Sequence, residues 1–105
     1  MRIALPEQYQ AFAEEFGLFE GFIEGDPGYI QLWAPERLQE LNSEILIEEF
    51  APDYLAFASN GANELFVFDS TGAVFMLPLI GMESDSAIRI ASSFRELARR
   101  FRERA

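Results

Sequence analysis

The sequence predicts an α+β fold: one domain over residues 1–105, with an antiparallel meander at its core and flanking helices. Three observations carry that expectation. Segments near both ends, "LPEQYQAFAEEFG" and "SSFRELARRFRERA", repeat apolar residues at helical spacing. Between them, "YLAFASNGANELFVFDSTGAVFMLPLI" offers three apolar runs of strand length divided by two stretches of turn chemistry. The chain has 105 residues, half of them hydrophobic, and eleven are Phe. A chain of that size buries roughly two-thirds of its unfolded surface, so a single well-filled core is expected and disorder is not.

Taken in order, the first helix opens on Pro6, a residue tolerated in a first turn, and stops at Gly17. Tyr9, Phe12, Ala13 and Phe16 form its apolar face. "LFEGFIEGDPGYIQLW" reads as a hairpin broken at Asp26-Pro27-Gly28. A second helix starts at Pro35 with Leu38, Leu41 and Ile45 on one face. Glu48 and Glu49 would oppose the dipole at its C-terminal end, so Asn42-Ser43 are expected to close it early. The meander follows, with turns at Asn60-Gly61 and at Asp69–Gly72. Strands this apolar call for helices over at least one sheet face, and Pro78 suits an edge or a bulge. "AIRIA" alternates like a short strand. The last segment is expected as a helix to the end of the chain, with Ser93 and Glu96 spaced as a capping box and Phe94, Leu97, Ala98 and Phe101 facing inward.

Composition narrows the chemistry. Cys, His and Lys are all absent. Disulfides, thiolate nucleophiles, imidazole bases, Schiff-base chemistry and nearly every zinc or copper site are thereby excluded. Carboxylates, hydroxyls and Arg remain, a kit that argues against an enzyme and against a cofactor. No apolar run approaches the roughly 18 residues of a membrane span; "AVFMLPLIG" is half that and holds a proline. The opening "MRIALPEQYQ" reaches Pro6 and Glu7 before a signal-peptide core could form, so a cytoplasmic location is expected.

Charge is distributed unevenly. Residues 1–88 carry 16 acidic side chains against two Arg, a balance of −14, and residues 89–105 carry six Arg against two Glu, a balance of +4. The acidic body repels phosphate backbones, which disfavours nucleic acid, and attracts basic proteins. Glu20, Glu24 and Asp26, beside Tyr29, form the densest acidic group near a turn and are the candidate partner-binding residues. Trp33 with Tyr29 could anchor a partner, although a lone Trp beside a strand is more often core. Arg95, Arg99 and Arg102 fall along one side of the expected last helix, as a solvated face that complements its C-terminus.

Asp69 poses the sharpest catalytic question, because "FDSTG" approaches the Asp-Thr/Ser-Gly signature of aspartic proteases. Both Ser70 and Thr71 intervene before Gly72, one residue too many, and such a site needs a second carboxylate sharing its proton. Asp at the first and Gly at the fourth position is instead the preference of a type I turn. Asp69 and Gly72, like Asn60 and Gly61, are therefore read as structural turn residues. Glu14-Glu15 and Glu48-Glu49 are sequence neighbours that point apart on a helix, and no calcium-loop spacing occurs. "SNGANE" has no basic residue beside it to complete a phosphate site.

The order of motifs resembles the SUKH superfamily, the Smi/Knr-like group of cell-wall assembly regulators. Leu5-Pro6 precedes a helix ending in Phe16; an apolar strand leads into a helix beginning near Pro35-Glu36; Ser59-Asn60-Gly61 makes a small-polar-Gly turn; a strand ends at Asp69; and Ser93-Phe94 precedes the closing helix. The resemblance implies an α+β fold and a binding role. Bacterial members are mostly immunity proteins that neutralise toxins of polymorphic or contact-dependent systems, and fungal members are signalling scaffolds. An immunity protein acting on a basic toxin domain is thus the expectation, and a housekeeping interaction module with an endogenous partner is the alternative. Relatives usually carry a further helix before the Leu-Pro, and "GLFEGFIEG" replaces their Asn-Gly-Gly. Either that segment folds over the gap or an apolar patch stays open, in which case a homodimer is expected.

Overall fold

The computed structural model describes residues 3–105, and the reading of Met1 and Arg2 as part of a failed signal segment lies outside them. Its elements are α1 (Glu7–Phe16), β1 (Glu20–Ile23), β2 (Tyr29–Leu32), a 3-10 turn (Pro35–Arg37), α2 (Leu38–Glu44), α3 (Ile47–Phe50), β3 (Leu55–Ser59), β4 (Glu64–Phe68), β5 (Val74–Pro78), a second 3-10 turn (Ser84–Ser86), β6 (Ile88–Ala91), α4 (Phe94–Ala98) and β7 (Phe101–Arg104). The strands form one sheet in the order β6-β5-β4-β3-β2-β1-β7. Every neighbouring pair is antiparallel. The expected α+β class, hairpin and meander are all present.

Sheet and helices sort the apolar residues into two layers. One face carries Ile23, Ile30, Leu32, Phe57, Phe66, Phe68 and Val74 beneath Tyr9 of α1 and Phe94 and Leu97 of α4. The other face carries Ala56, Leu65, Val67 and Leu77 beneath Ile47 and Ala51, and Met82 closes it. The centre of the sheet is thus covered on both sides, which explains why β3 and β4 read as continuous apolar runs rather than alternating ones. A bulge between Ala56 and Ala58 leaves Phe57 as the extra residue. That residue stacks on Phe68 at 4.0 Å between ring centroids. Pro78 ends β5 opposite Glu64, beyond the reach of β6, where its missing N–H disturbs no ladder.

One local expectation is corrected and another is sharpened. Phe16 is 57% exposed rather than buried, because the end of α1 overhangs the core and Phe16 touches the ring of Phe12 instead. The second helix does close early, at Glu44, one residue past Asn42-Ser43. Asn42 is buried within α2, its Nδ2 donating to the carbonyls of Leu38 and Ala56 and its Oδ1 accepting from the Ala56 N–H, all at 2.8 Å. The break comes at Leu46, whose φ of 57° and ψ of 40° are left-handed, and α3 restarts behind it. Glu48 and Glu49 therefore occupy the first turn of a new helix, where the dipole favours them.

The largest correction is at the C-terminus. The expected long helix stops at Ala98, and Phe101–Arg104 form a strand on the open edge of β1. A helix would have stacked Arg95, Arg99 and Arg102 as like-charged neighbours. The strand separates them, pairs Arg102 with Glu24 at 2.9 Å and stacks Phe101 on Phe19 with centroids 4.5 Å apart. Gly21 makes the pairing feasible, since a Cβ there would collide with the Glu103 carbonyl and sit 2.8 Å from the Arg104 Cα. The capping box is also redistributed. Ser93 Oγ accepts from the Glu96 N–H at 3.1 Å, but the Glu96 carboxylate returns to Ser92.

The return of the chain from β6 to β7 also bends the sheet. Seven strands lying flat would place its two edges roughly 29 Å apart at the usual strand spacing. From Ala91 to Phe101 the chain includes the five residues of α4, leaving a reach of roughly 25 Å. The sheet must curl for the connection to close. Arg100 joins the two ends of the curl: its Nη2 donates to the Ile90 carbonyl on β6, and its own carbonyl accepts from Glu24 N–H at 2.9 Å.

Candidate functional site

The curl leaves one part of the sheet uncovered. The second layer of helix and loop stops over β3–β5, so the outward side chains of β1 and β2 face solvent. Alternation puts Gly21 and Ile23 inward and Glu20 and Phe22 outward. The register sets Phe22 opposite Tyr29 and Glu20 opposite Gln31. Phe22 is 53% exposed and meets the Tyr29 ring edge-to-face at 5.5 Å. Tyr29 donates its hydroxyl to Glu20 Oε2 at 2.7 Å. That hydrogen bond holds the Glu20 carboxyl below the usual carboxylate range and raises the Tyr29 phenol above its own.

The four candidate binding residues thus have different surroundings. Glu20 and Tyr29 form one acidic-aromatic unit on the open face. Asp26 is exposed at the hairpin tip, and Glu24 is engaged by Arg102. Phe22 was missed as a site residue although the hairpin register places it beside Tyr29. Trp33 is half-buried and packs against both apolar layers, so it is core rather than an anchor.

A second concavity, about 320 Å³, opens where α2 breaks into α3. Leu46, Ile47, Pro52, Tyr54 and Leu55 contribute apolar surface, and Glu48 and Glu49 supply carboxylates. Leu46, at the cleft, is 51% exposed, and Phe50, at the end of α3 and outside the lining, is 48% exposed. No group of three Asp or Glu among the described residues is placed to hold a metal ion.

Asp69 is a hinge. The Gly72 N–H donates to the Asp69 carbonyl at 3.1 Å, closing the four-residue turn, and Gly72 holds a φ of 86° that side chains disfavour. Asp69 Oδ1 accepts from Thr71 N–H at 2.9 Å, Thr71 Oγ1 at 2.6 Å and Ala73 N–H at 3.1 Å. Partial burial alone would push this carboxyl up, but the Thr71 and Ala73 hydrogen bonds outweigh it and hold the group below its ordinary value. Its stabilising effect is present above the unfolded value of roughly 3.9 and is lost as pH falls through the lower folded one. Asp69→Asn keeps an acceptor oxygen and is expected to cost at most about 1 kcal/mol. Chemical denaturation of both proteins between neutral and acid pH should show the gap narrowing toward acid. Asn60 plays the matching part before β4, its Oδ1 accepting from Ala62 N–H at 2.9 Å and Glu64 N–H at 3.0 Å across the turn at Gly61.

A curled antiparallel sheet with helices over its centre and an open acidic-aromatic hairpin defines an α+β domain whose surfaces suit macromolecular contact. The model of the SMI1 / KNR4 family (SUKH-1) matches residues 1–100, and the chain belongs to that family. Members of this family generally bind protein partners. No curated protein matches the chain in sequence. No helix among the described residues is long and apolar enough to cross a membrane.

Proposed function

We propose that the protein is a non-catalytic immunity protein of the cytoplasm that neutralises a toxin domain with a basic surface. The observation behind this reading is the acidic body, −14 over residues 1–88, with its exposed hairpin joining carboxylates to aromatic rings. Carboxylates at the rim steer a basic partner, and Phe22 and Tyr29 supply the apolar contact that retains it.

The test is expression with the toxin domain encoded beside its gene, read as growth rescue and as binding of the purified pair. Association should slow steeply between low and physiological salt, since exposed charges are screened beyond roughly 8–10 Å. Asp26→Arg should slow low-salt association without changing thermal stability, because Asp26 is exposed at the hairpin tip. Reversing Glu24 also breaks its ion pair with Arg102 and is the less clean variant. Binding without salt dependence would remove the steering argument. An endogenous partner captured in place of a toxin would favour the housekeeping module. Sedimentation of the chain alone tests the expected homodimer, and a monomer across a concentration series would remove it.

A further inference from the structure

The break between α2 and α3 lays Ile47 and Ala51 on the sheet, but the residue that makes it is one that backbone preference disfavours. A helix break of this kind is normally made by Gly or Asn, which enter the left-handed region at little cost. Position 46 carries Leu instead, with φ 57° and its side chain half exposed at the cleft. Phe50 is also half exposed on the next turn. The polar group behind them is already engaged, since the Asn42 amide is held by Leu38 and Ala56. Glu48 and Glu49 line the same cleft, and neither forms an ion pair among the described residues.

We propose that this cleft takes a segment of a partner protein in which an apolar side chain is flanked by Arg or Lys. The apolar side chain fills the space beside Leu46 and Ile47, and the flanking cations meet Glu48 and Glu49. Charge complementarity selects the occupant: an acidic segment would bring its carboxylates against two glutamates, and a neutral one would leave them unanswered. The inference rests on reading the chain as a protein-binding domain, and it adds a second contact on a different part of the surface from the hairpin.

Isotope-labelled protein titrated with an acetylated, amidated tetrapeptide RLFR, and separately with its charge-reversed counterpart ELFE, tests it by nuclear magnetic resonance. RLFR should move the amide signals of Ser43 and Leu46–Phe50, shifts that Leu46→Gly abolishes while any at the β1–β2 hairpin persist, and ELFE should bind the cleft at least about tenfold more weakly. Leu46→Gly relieves the left-handed backbone, so it should fold at least as well while losing the peptide from the cleft. A Glu48→Gln/Glu49→Gln double variant should bind both peptides alike at the cleft. Equal binding of the two peptides at the cleft of the unmodified chain, cleft shifts retained in Leu46→Gly, shifts confined to other segments, or no shift with either peptide would overturn the proposal. Concentration-dependent shifts at Leu46–Phe50 without peptide would overturn it too, by assigning the cleft to a second copy. The peptide assay needs no toxin, so a failed toxin screen leaves it standing. Cleft variants that lose RLFR yet still neutralise a toxin would sink the cleft as the partner site and leave the immunity reading intact.

Discussion

Tyr9→Ala is expected to lower the unfolding free energy by about 3–5 kcal/mol, a large share of the roughly 5–15 kcal/mol that holds a domain of this size. Tyr9 is fully buried and is the point where α1, α4 and the sheet meet. Its ring lies 5.1 Å from that of Phe57, 6.0 Å from Phe68 and 5.0 Å from Phe94, all edge-on, so truncation opens a cavity lined by three aromatic rings. The hydroxyl adds a polar anchor, its single proton lying between the Trp33 carbonyl at 2.5 Å and the Phe57 carbonyl at 3.2 Å. Burial pushes this phenol far above its ordinary range, and it stays a neutral donor. Tyr9→Phe keeps the packing and removes only the donor, for an expected loss of about 1–2 kcal/mol. Urea denaturation of the three proteins separates the two contributions, and a Tyr9→Ala loss no larger than that of Tyr9→Phe would refute the packing role.

Asn42→Ala is expected to cost about 2–4 kcal/mol, more than most substitutions on a short helix. Its side chain stands in for a strand partner. The Ala56 N–H and C=O are both satisfied by the Asn42 amide, as a neighbouring backbone would satisfy them. Alanine leaves both groups buried without partners, and Leu38 loses a third bond. Asn42→Asp keeps the acceptor but replaces the donor with a carboxylate that faces two carbonyls. Its deficit should therefore grow as pH rises from acid to neutral and the buried carboxyl ionises. Thermal unfolding followed against pH reads both effects, and a pH-independent Asn42→Asp deficit would count against the buried amide.

The local elements were legible because their causes are local. α1 shows in the spacing of Tyr9, Phe12 and Phe16, the hairpin in Asp26-Pro27-Gly28, and the meander in Asn60-Gly61 and Asp69–Gly72. Asp69 was readable as a turn residue because the residues that bind it lie within four positions along the chain. The hairpin site was half legible. Its acidic group stood out, but Arg102 had to arrive from 78 residues away before Glu24 could be told from Asp26.

By itself the sequence determined the fold class, the hairpin and meander strands, their turns and the acidic sign of the surface. All of these follow from composition and from interactions spanning a few residues. Tertiary structure alone decided the fate of the last segment, whose helical spacing of Phe94, Leu97 and Phe101 predicts a helix that the open edge of β1 overrides. An unpaired strand edge offers a row of hydrogen bonds to whatever chain can reach it. Gly21 lets that chain approach, and Phe19 gives Phe101 a ring to stack on. The same principle places Asn42 in the core: the sequence put it near the end of a helix that stops at Glu44, and the unmet backbone groups of Ala56 made its side chain a buried partner.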